Sequence, residues 1–579
     1  MYKTQRRVLA LLVCLCSTAL FAQDKINVEI SGIEKLLEDN VRLFLSVEQQ
    51  KNHALMSEGR LRRLHKKAPE EIARALQPFG YYRSSINSDL TQSSPGNWQA
   101  RYVIDPGPAL LVHQFDFKLN GEMADDPAFR SLIATFSLDK GTVFNHLKYE
   151  DIKVSLARLA AERGYFNARF SEHRVAVDLD RYEARIQLYY EGGVRYRFGE
   201  VLLVQDVLEP ELLQRYIPFE KGAPYTLNQL LSLQQSLNDS DYFRTVEVSP
   251  GDAPLDSAEI PVAVMLTPRN RHRYRVGLGY GTDTGVRTKF GWEIPRLNRR
   301  GHRINTEIQV SERGYRLGSV YRVPVLNPRT DQIIYSAGVV NETTDTSEST
   351  VRTVGVGLNR SRGQWRESVS INYQQENFVV ADDRGRSTLL IPGVSWSRNW
   401  GRNFINALDG VHFDIGLRGA RKNFLSNSDF FQLQGGVKTI KSLGRRNRII
   451  TRGRLGGTWT DEFRRLPSSV RFFAGGAQSV RGYKYQSLGP VDRRGNVVGG
   501  KYLMVGSIEF EHRFTSKWSA AIFYDGGNAF DDIAEKLERG AGLGVRWQSP
   551  VGPVRFDMAT DVSRGSKNWE PHINIGPDF

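Results

Sequence analysis

The chain has 579 residues, only two cysteines and a formal net charge of +15. This length predicts several domains rather than one. Cys14 and Cys16 both lie near the start of the chain. The remainder therefore can form neither a disulfide nor a cysteine–zinc site, which excludes thiol chemistry as the basis of function.

Residues 1–22 are typical of a secretory signal peptide. A basic start precedes an apolar run from Val8 to Leu15, and small residues then lead to Ala22, after which we expect cleavage. A membrane anchor is the alternative, but the apolar run is short and no stop-transfer pattern follows it. No later stretch is long and apolar enough for a transmembrane helix, so a form embedded in a membrane would have to be a β-barrel.

The positive charge that remains after the signal peptide is scattered along the chain. An exported protein rarely meets nucleic acid, so we expect no nucleic-acid partner. Solvated surface and contacts with anionic lipid headgroups explain the charge better.

A module repeats three times between residues 23 and 268. Each copy has an aromatic pair directly after an amphipathic helix: Tyr81–Tyr82, Tyr165–Phe166 and Tyr242–Phe243. A regular repeat of this size predicts stacked domains, with boundaries at 23–106, 107–192 and 193–268. Each copy reads strand, helix, helix, strand, strand, an order that resembles the POTRA domain of outer-membrane assembly proteins.

The POTRA resemblance leaves two interpretations of the modules open. The aromatic pairs are most simply core residues at a helix–strand junction. The unpaired edge of each sheet could also add an extended polypeptide as a further strand. The two interpretations are compatible.

Residues 269–579 alternate between apolar and polar positions. In "SIEFEHRF" the apolar set is Ile508, Phe510 and Phe514, and the charged set is Glu509, Glu511 and Arg513. This pattern predicts an all-β membrane barrel of about 16 antiparallel strands, with lipid outside and water inside. A soluble β-sandwich is the alternative. The signal peptide, the absence of cysteine and a final segment, "HINIGPDF", that ends on an aromatic residue favour the barrel.

Three motifs in the barrel region, "VRGY", "FYDGG" and "GVRW", resemble the signature set of the POTRA–β-barrel superfamily of BamA-like and TamA-like proteins. The resemblance implies that a long loop folds back into the barrel and that Arg481 pairs with Asp525. An arginine fork suits this task because it binds a carboxylate in a bidentate, directional way. Trp547 departs from the usual tyrosine or phenylalanine but keeps the aromatic character. The predicted loop-lock residues are Val480, Arg481, Gly482, Tyr483, Phe523, Asp525, Gly527, Gly544 and Arg546.

The resemblance covers essentially the whole chain after residue 22, and three modules fit the TamA-type branch of the superfamily. This branch implies a factor in the outer membrane of a Gram-negative bacterium, with its POTRA domains in the periplasm, that inserts other β-barrels such as autotransporters. The implied partners are a TamB-like protein anchored in the inner membrane, unfolded outer-membrane protein substrates and outer-membrane lipids. A pore that secretes polypeptides, of the two-partner type, is the alternative. A passive porin would not explain the modules.

Signals for an enzyme are poor. Residues 495–502 approach the spacing of a phosphate-binding loop, but Tyr502 replaces the Ser/Thr ligand and a strand, not a helix, follows. No cluster of histidine, cysteine or acidic residues has the spacing of a metal site. We therefore expect no enzymatic activity, no catalytic residues, no cofactor and no metal.

The first and last strands of the predicted barrel suggest where it opens. Glycines in the first strand offer little side-chain packing, and a proline near the chain end has no N–H to donate to a strand ladder. This seam is predicted to part before any other strand pair and to expose an edge for an incoming substrate strand. The predicted lateral-gate residues are Gly277, Gly279, Gly281, Gly576, Pro577 and Phe579.

Overall fold

The computed structural model describes residues 25–51, 57–252, 257–401, 409–532, 534–549, 552–563, 565 and 569–575. The predicted signal peptide lies outside these ranges, as do Gly576, Pro577 and Phe579 of the predicted lateral gate. The chain forms two compact units. The first contains the chain up to Glu200 with Phe219–Leu230 and Pro250–Val262, and the second contains Val201–Pro218, Leu231–Ser249 and Ala263–Phe579.

Three α+β modules precede the barrel, each with a three-stranded sheet. The first consists of β1 Lys25–Ser31, α1 Lys35–Phe44, α2 Ser46–Gln50, α3 Glu58–Leu76, β2 Ser85–Ser94 and β3 Asn97–Asp105. The second consists of β4 Leu111–Asn120, α4 Pro127–Ile133, α5 His146–Glu162, β5 Arg169–Asp178 and β6 Glu183–Glu191. The third consists of β7 Arg197–Val204, α6 Pro210–Gln214, α7 Leu227–Asp239, β8 Phe243–Pro250 and β9 Glu259–Pro268.

The last strand of each module lies at the centre of its sheet. The strand orders are β1-β3-β2, β4-β6-β5 and β7-β9-β8. In the first two sheets the opening strand runs parallel to the central one, and the middle strand of the sequence runs antiparallel to it. No described helix is long and apolar enough to cross a membrane.

The repeated aromatic pairs pack inside their own modules and also reach beyond them. Tyr165 is buried in the second module, whereas Phe166 is 42% exposed and contacts the ring of Tyr225 at 5.1 Å between centroids. In the third pair, the Tyr242 hydroxyl donates a 2.6 Å bond to the carbonyl of Gly301 in the barrel sequence. The interpretation of the aromatic pairs as core residues is therefore incomplete, because members of the pairs also contact the part of the chain that follows their module.

A buried carboxylate fixes the helical layer of the second module. Asp126 caps the first turn of α4, where its Oδ1 accepts the N–H of Ala128 at 3.0 Å. Arg163 donates two further bonds to the same carboxylate, both at 2.9 Å. Burial alone would raise the pKa of Asp126, but these bonds outweigh burial and hold the pKa below its ordinary value.

The barrel is one sheet of 16 strands in sequence order. Each pair of neighbouring strands in the described sheet is antiparallel. The prediction of a membrane barrel of about 16 strands behind three α+β modules is thus confirmed. The strands are β10 Arg273–Gly281, β11 Gly285–Ile294, β12 Arg303–Ser311, β13 Gly314–Pro324, β14 Gln332–Thr343, β15 Ser347–Arg362, β16 Trp365–Val380, β17 Asp383–Trp400, β18 Gly410–Ala420, β19 Phe430–Leu443, β20 Asn447–Trp459, β21 Tyr502–Arg513, β22 Trp518–Phe530, β23 Glu538–Ser549, β24 Gly552–Asp561 and β25 Trp569–Ile575.

Burial along β21 is the inverse of a soluble protein's pattern. Ile508 is 53% exposed, while its neighbour Glu509 is only 5% exposed. Phe510 and Glu511 repeat the alternation, with the aromatic side chain outside and the carboxylate inside. An apolar exterior around a charged interior is the arrangement that a lipid bilayer requires of a barrel.

We predict that Asp126→Ala destabilises the second module by about 2–3 kcal/mol, because it removes a helix cap and the partner of Arg163. The pKa of Asp126 is depressed in the folded state, so its contribution is present above the ordinary aspartate pKa and disappears as the pH falls through the folded-state value. Hydrogen exchange of the module in the full-length protein measures the effect. Asp125→Ala, at the exposed neighbouring carboxylate, is the control and should change exchange little. Equal exchange in the two variants would contradict this role.

Candidate functional site

A long loop, residues 460–501, connects β20 and β21 and lies against the inner wall of the barrel. Its first part is fixed on β16, where the buried carboxylate of Glu376 accepts the Ser468 hydroxyl at 2.7 Å and the Ser469 N–H at 3.3 Å. Arg471, whose side chain is fully buried, donates to the carbonyls of Leu466 and Val498 at 2.9 and 3.0 Å. These bonds fold the loop on itself and tie it to the wall.

Arg481 attaches the tip of the loop to β22. Its Nε donates to Asp525 Oδ2 at 2.7 Å and its Nη2 to Asp525 Oδ1 at 2.9 Å. The backbone N–H of Arg481 donates to Oδ2 as well, at 3.1 Å. The guanidinium therefore grips both carboxylate oxygens, the geometry in which an arginine–carboxylate pair is strongest and most directional.

The third guanidinium nitrogen of Arg481, Nη1, also has partners. Nη1 of Arg481 donates to Glu509 at 2.8 Å and to Asp557 at 3.2 Å, so β21 and β24 contribute carboxylates. Carbon Cζ of Arg481 lies 3.4 Å from the centre of the Phe523 ring, a cation–π contact. Arg481 is only 2% exposed, and three strands hold it.

Arg546 on β23 binds the two outer carboxylates from the other side. Its Nη2 lies 2.8 Å from Glu509 and its Nη1 lies 2.6 Å from Asp557. Gly544 leaves the space for this contact, since a Cβ there would lie 1.9 Å from Asp557 Oδ1. Two guanidinium groups and three carboxylates thus form one buried network, in which each charge faces at least one of opposite sign. Burying charge is costly unless it is compensated in this way.

Backbone geometry brings the loop tip close to the wall. Gly482 has φ +93°, a conformation that favours glycine, and a Cβ there would lie 2.8 Å from the carbonyl oxygen of Thr560. A Cβ at Gly540 would lie 1.9 Å from the carbonyl oxygen of Arg481. The next side chain, Tyr483, donates its hydroxyl to Asp561 at 2.5 Å.

The structure brings most of the predicted loop-lock residues together and separates two of them from the charge network. Val480 is fully buried in a small apolar cluster beside it. Gly527 packs against the backbone of β21, where a Cβ would lie 2.5 Å from the carbonyl oxygen of Met504. Sequence reasoning missed Glu509 and Asp557. The sequence pattern that could have identified them is an acidic residue at an inward-facing strand position, flanked by outward-facing apolar residues.

The predicted lateral gate falls at the two ends of the sheet. Among the described residues no strand ladder joins β10 to β25. The contacts present are a 3.4 Å bond from the Thr282 N–H to the Ile573 carbonyl, its counterpart from the Ile573 N–H to Thr282 Oγ1, and a 3.1 Å bond from Arg287 to the carbonyl of Ile575.

The three glycines of β10 differ in their relation to this seam. A Cβ at Gly281 would lie 3.6 Å from the Ile573 carbonyl oxygen. At Gly279 it would lie 3.0 Å from Nε of Arg287, the side chain that crosses to the last strand. At Gly277 it would meet Lys289 instead. Gly281 therefore lies at the seam, Gly279 makes room for a side chain that spans it, and Gly277 faces the neighbouring strand.

We predict that Arg481→Ala and Asp525→Ala each release the loop tip, because each leaves charge buried without its partner. Removing one member of a buried pair costs about 3–5 kcal/mol, and water in the lumen lowers this figure. A cysteine introduced at the buried Val480 should then react with a water-soluble maleimide about tenfold faster or more. Arg494→Ala removes an exposed arginine of the same loop and is the control. Equal reactivity in all variants would contradict the attachment.

Comparison with known proteins agrees with this architecture. An outer membrane protein assembly factor BamA from Nitratidesulfovibrio vulgaris is 31% identical over 115 residues, which are 18% of this chain and 14% of that protein. The chloroplastic outer envelope protein 80 of Arabidopsis thaliana is 22% identical over 492 residues, which are 75% of this chain and 63% of that protein. The chain thus spans less than two thirds of the length of either relative.

A solved structure shares the fold. BamA from Haemophilus ducreyi lacking POTRA domains 1–3 superimposes with a TM-score of 0.67 at 16% identity, covering 81% of this chain and 99% of that one. Residues 27–106 match the family model for POTRA domain 1 of TamA. Residues 272–579, more than half of the sequence, match the Omp85 superfamily domain. The chain belongs to the Omp85 superfamily.

Proposed function

We propose that this protein inserts other β-barrel proteins, autotransporters among them, into the outer membrane through the seam between β10 and β25. The protein resides in that membrane, with its POTRA domains in the periplasm. It is an assembly or secretion barrel of the Omp85 superfamily. The finer role as an insertion factor is the part that we propose.

The observation that carries the proposal is the contrast between the seam and the other strand pairs. β10 pairs with β11 along its whole length, from Arg273 to Gly281. In the described chain its opposite edge meets β25 through a few bonds around Thr282 and Ile573. Unpaired backbone groups of an edge strand template the addition of another strand. The seam therefore offers an incoming substrate strand the backbone pairing that it lacks.

The occupied lumen argues against the alternative, a pore that secretes polypeptide through the barrel. Residues 460–501 are fixed to β16 through Glu376 and to β21, β22 and β24 through Arg481. Passage of a chain would require both attachments to break. Insertion at the seam requires neither, and no covalent bond is made or broken, so we propose no enzymatic step.

The TamA-type branch is our further assignment within the family. Three modules precede the barrel, and the first matches the POTRA model of that branch. We therefore propose unfolded outer-membrane proteins as substrates and a TamB-like protein anchored in the inner membrane as a partner. The sheet edges of the modules are the surfaces that suit an extended polypeptide.

We predict that a disulfide across the seam stops insertion. Gly281→Cys with Ile573→Cys places one thiol on each edge, since a Cβ at Gly281 points towards Ile573, and the bond can form where the Cα atoms lie within about 7 Å. Oxidation should abolish insertion of an autotransporter substrate into proteoliposomes, and reductant should restore it.

The matched control for the seam disulfide is a second cysteine pair, Gly338→Cys with Thr353→Cys. These residues lie opposite each other on the fully paired strands β14 and β15. Cross-linking there should leave insertion unchanged. Normal insertion by a completely cross-linked seam variant would contradict the proposed route.

A further inference from the structure

The two edges of the barrel sheet, which share no ladder in the described residues, are both contacted by one short stretch of the loop. This stretch, residues 477–482, includes Arg481 of the charge network. One backbone N–H of this stretch points to a side chain beside the first strand, and another points to a side chain on the last strand. Neither side chain belongs to the signature motifs of the sequence.

The contact on the first edge is made by Asp283, in the turn between β10 and β11. Both of its carboxylate oxygens accept the N–H of Ala477, at 3.1 and 3.4 Å. Gly476, with φ +100°, brings the loop backbone close, and a Cβ there would lie 3.1 Å from each oxygen. The carboxylate therefore holds the loop at a point directly beyond the end of β10.

The contact on the last edge is made by His572 of β25. Its Nε2 accepts the N–H of Gly482 at 3.0 Å, and the side chain is only 3% exposed. In the part of the chain that the structure describes, Nδ1 has no hydrogen-bond partner. Within the described ranges the ring thus makes its hydrogen bond to the loop, and the neighbouring residue Ile573 makes the seam contact itself.

Arg481 gives these two contacts a rigid support. It lies between Ala477 and Gly482 in the sequence, and its bonds to Asp525 fix it on β22, which is not an edge strand. A loop anchored at that point and bonded to both edges holds the edges in place relative to the wall. Among the described residues of the two edges, backbone hydrogen bonds are few, so two additional bonds are a large share of those that hold the seam there.

We propose that Asp283 and His572 are positioning residues that clasp the seam. The loop holds both edges through Ala477 and Gly482, and the seam opens when these bonds are released. This inference rests on the proposed insertion route and adds the contacts that control the opening of the seam. The clasp consists of the Ala477–Asp283 and Gly482–His572 bonds and shares Gly482 with the loop lock. Its bonds join the loop to the edges, whereas those of Arg481 join the loop to β21, β22 and β24.

The test measures the opening of the seam without substrate, in full-length protein in lipid vesicles. Tyr280→Cys and Ile575→Cys carry one spin label on each edge, two residues from the Thr282–Ile573 contact, and the distance distribution reports the open fraction. His572→Phe keeps a ring of similar size but no acceptor. Asp283→Ala removes the carboxylate. Each should raise the open fraction on the order of fivefold, the equivalent of one lost net hydrogen bond.

Matched variants separate a clasp from general damage to the barrel. His572→Gln retains an acceptor near the position of Nε2 and should restore the closed distance. His512→Phe and Asp409→Ala remove a histidine and a carboxylate whose partners, Asn447 and the Ser442 N–H, lie on β20 and β19, away from the seam. Both should leave the labels unmoved. Heat-modifiable mobility verifies that every variant contains a folded barrel.

The outcomes distinguish the clasp from the insertion route, which is assayed in parallel. Wider seams in both clasp variants, with closure restored by His572→Gln, support the clasp. If the completely cross-linked seam variant nevertheless inserts substrate normally, the clasp stands and the insertion route is wrong. Labels that stay in place while the seam disulfide blocks insertion overturn the clasp and retain the route. Movement in only one of the two variants also overturns the two-sided clasp.

Discussion

The bidentate contact between Arg481 and Asp525 supports every other feature of the site. It lies at the tip of a long loop, among charged side chains of the inner wall. Because both oxygens of Asp525 are bound, the guanidinium is fixed in orientation as well as position, and Nη1 meets Glu509 and Asp557. Arg546 then balances those two carboxylates from the other side. Replacing any one of these charged residues by a neutral one leaves a buried charge without its partner, which destabilises the network.

The attached loop and the sparsely bonded seam both relate to one requirement, that a β-sheet in lipid must satisfy the backbone groups of its edge strands. A bilayer offers no hydrogen-bond partner to an unpaired strand edge, so a membrane barrel must either pair its last edges or hold them by other means. Here the described parts of β10 and β25 share few bonds. Bonds from the loop to Asp283 and His572 compensate in part. The barrel can therefore be stable as a whole while one boundary remains ready to separate.

Sequence reasoning reached the architecture because period-two alternation and a repeated module are local signals. It also reached the pairing of Arg481 with Asp525, but through a family resemblance rather than through spacing. Glu509, Asp557, Asp283 and His572 were not found, since contacts between distant strands depend on register, which a single sequence does not reveal. The aromatic pairs show the same limit. Their position after an amphipathic helix indicated a helix–strand junction. The contact between the rings of Phe166 and Tyr225 is visible only in the structure.

Amide hydrogen exchange of the full-length protein in lipid can show whether the seam is the least stable strand boundary and whether the anchored loop limits its opening. We expect amides of β10 and β25 to exchange faster than those of β15 and β16, which are paired along their length. We also expect loss of Arg481 to accelerate exchange at the two edges and to leave β15 and β16 unchanged. Equal protection at all four strands, or acceleration spread evenly around the barrel, would contradict the role of the seam and its loop.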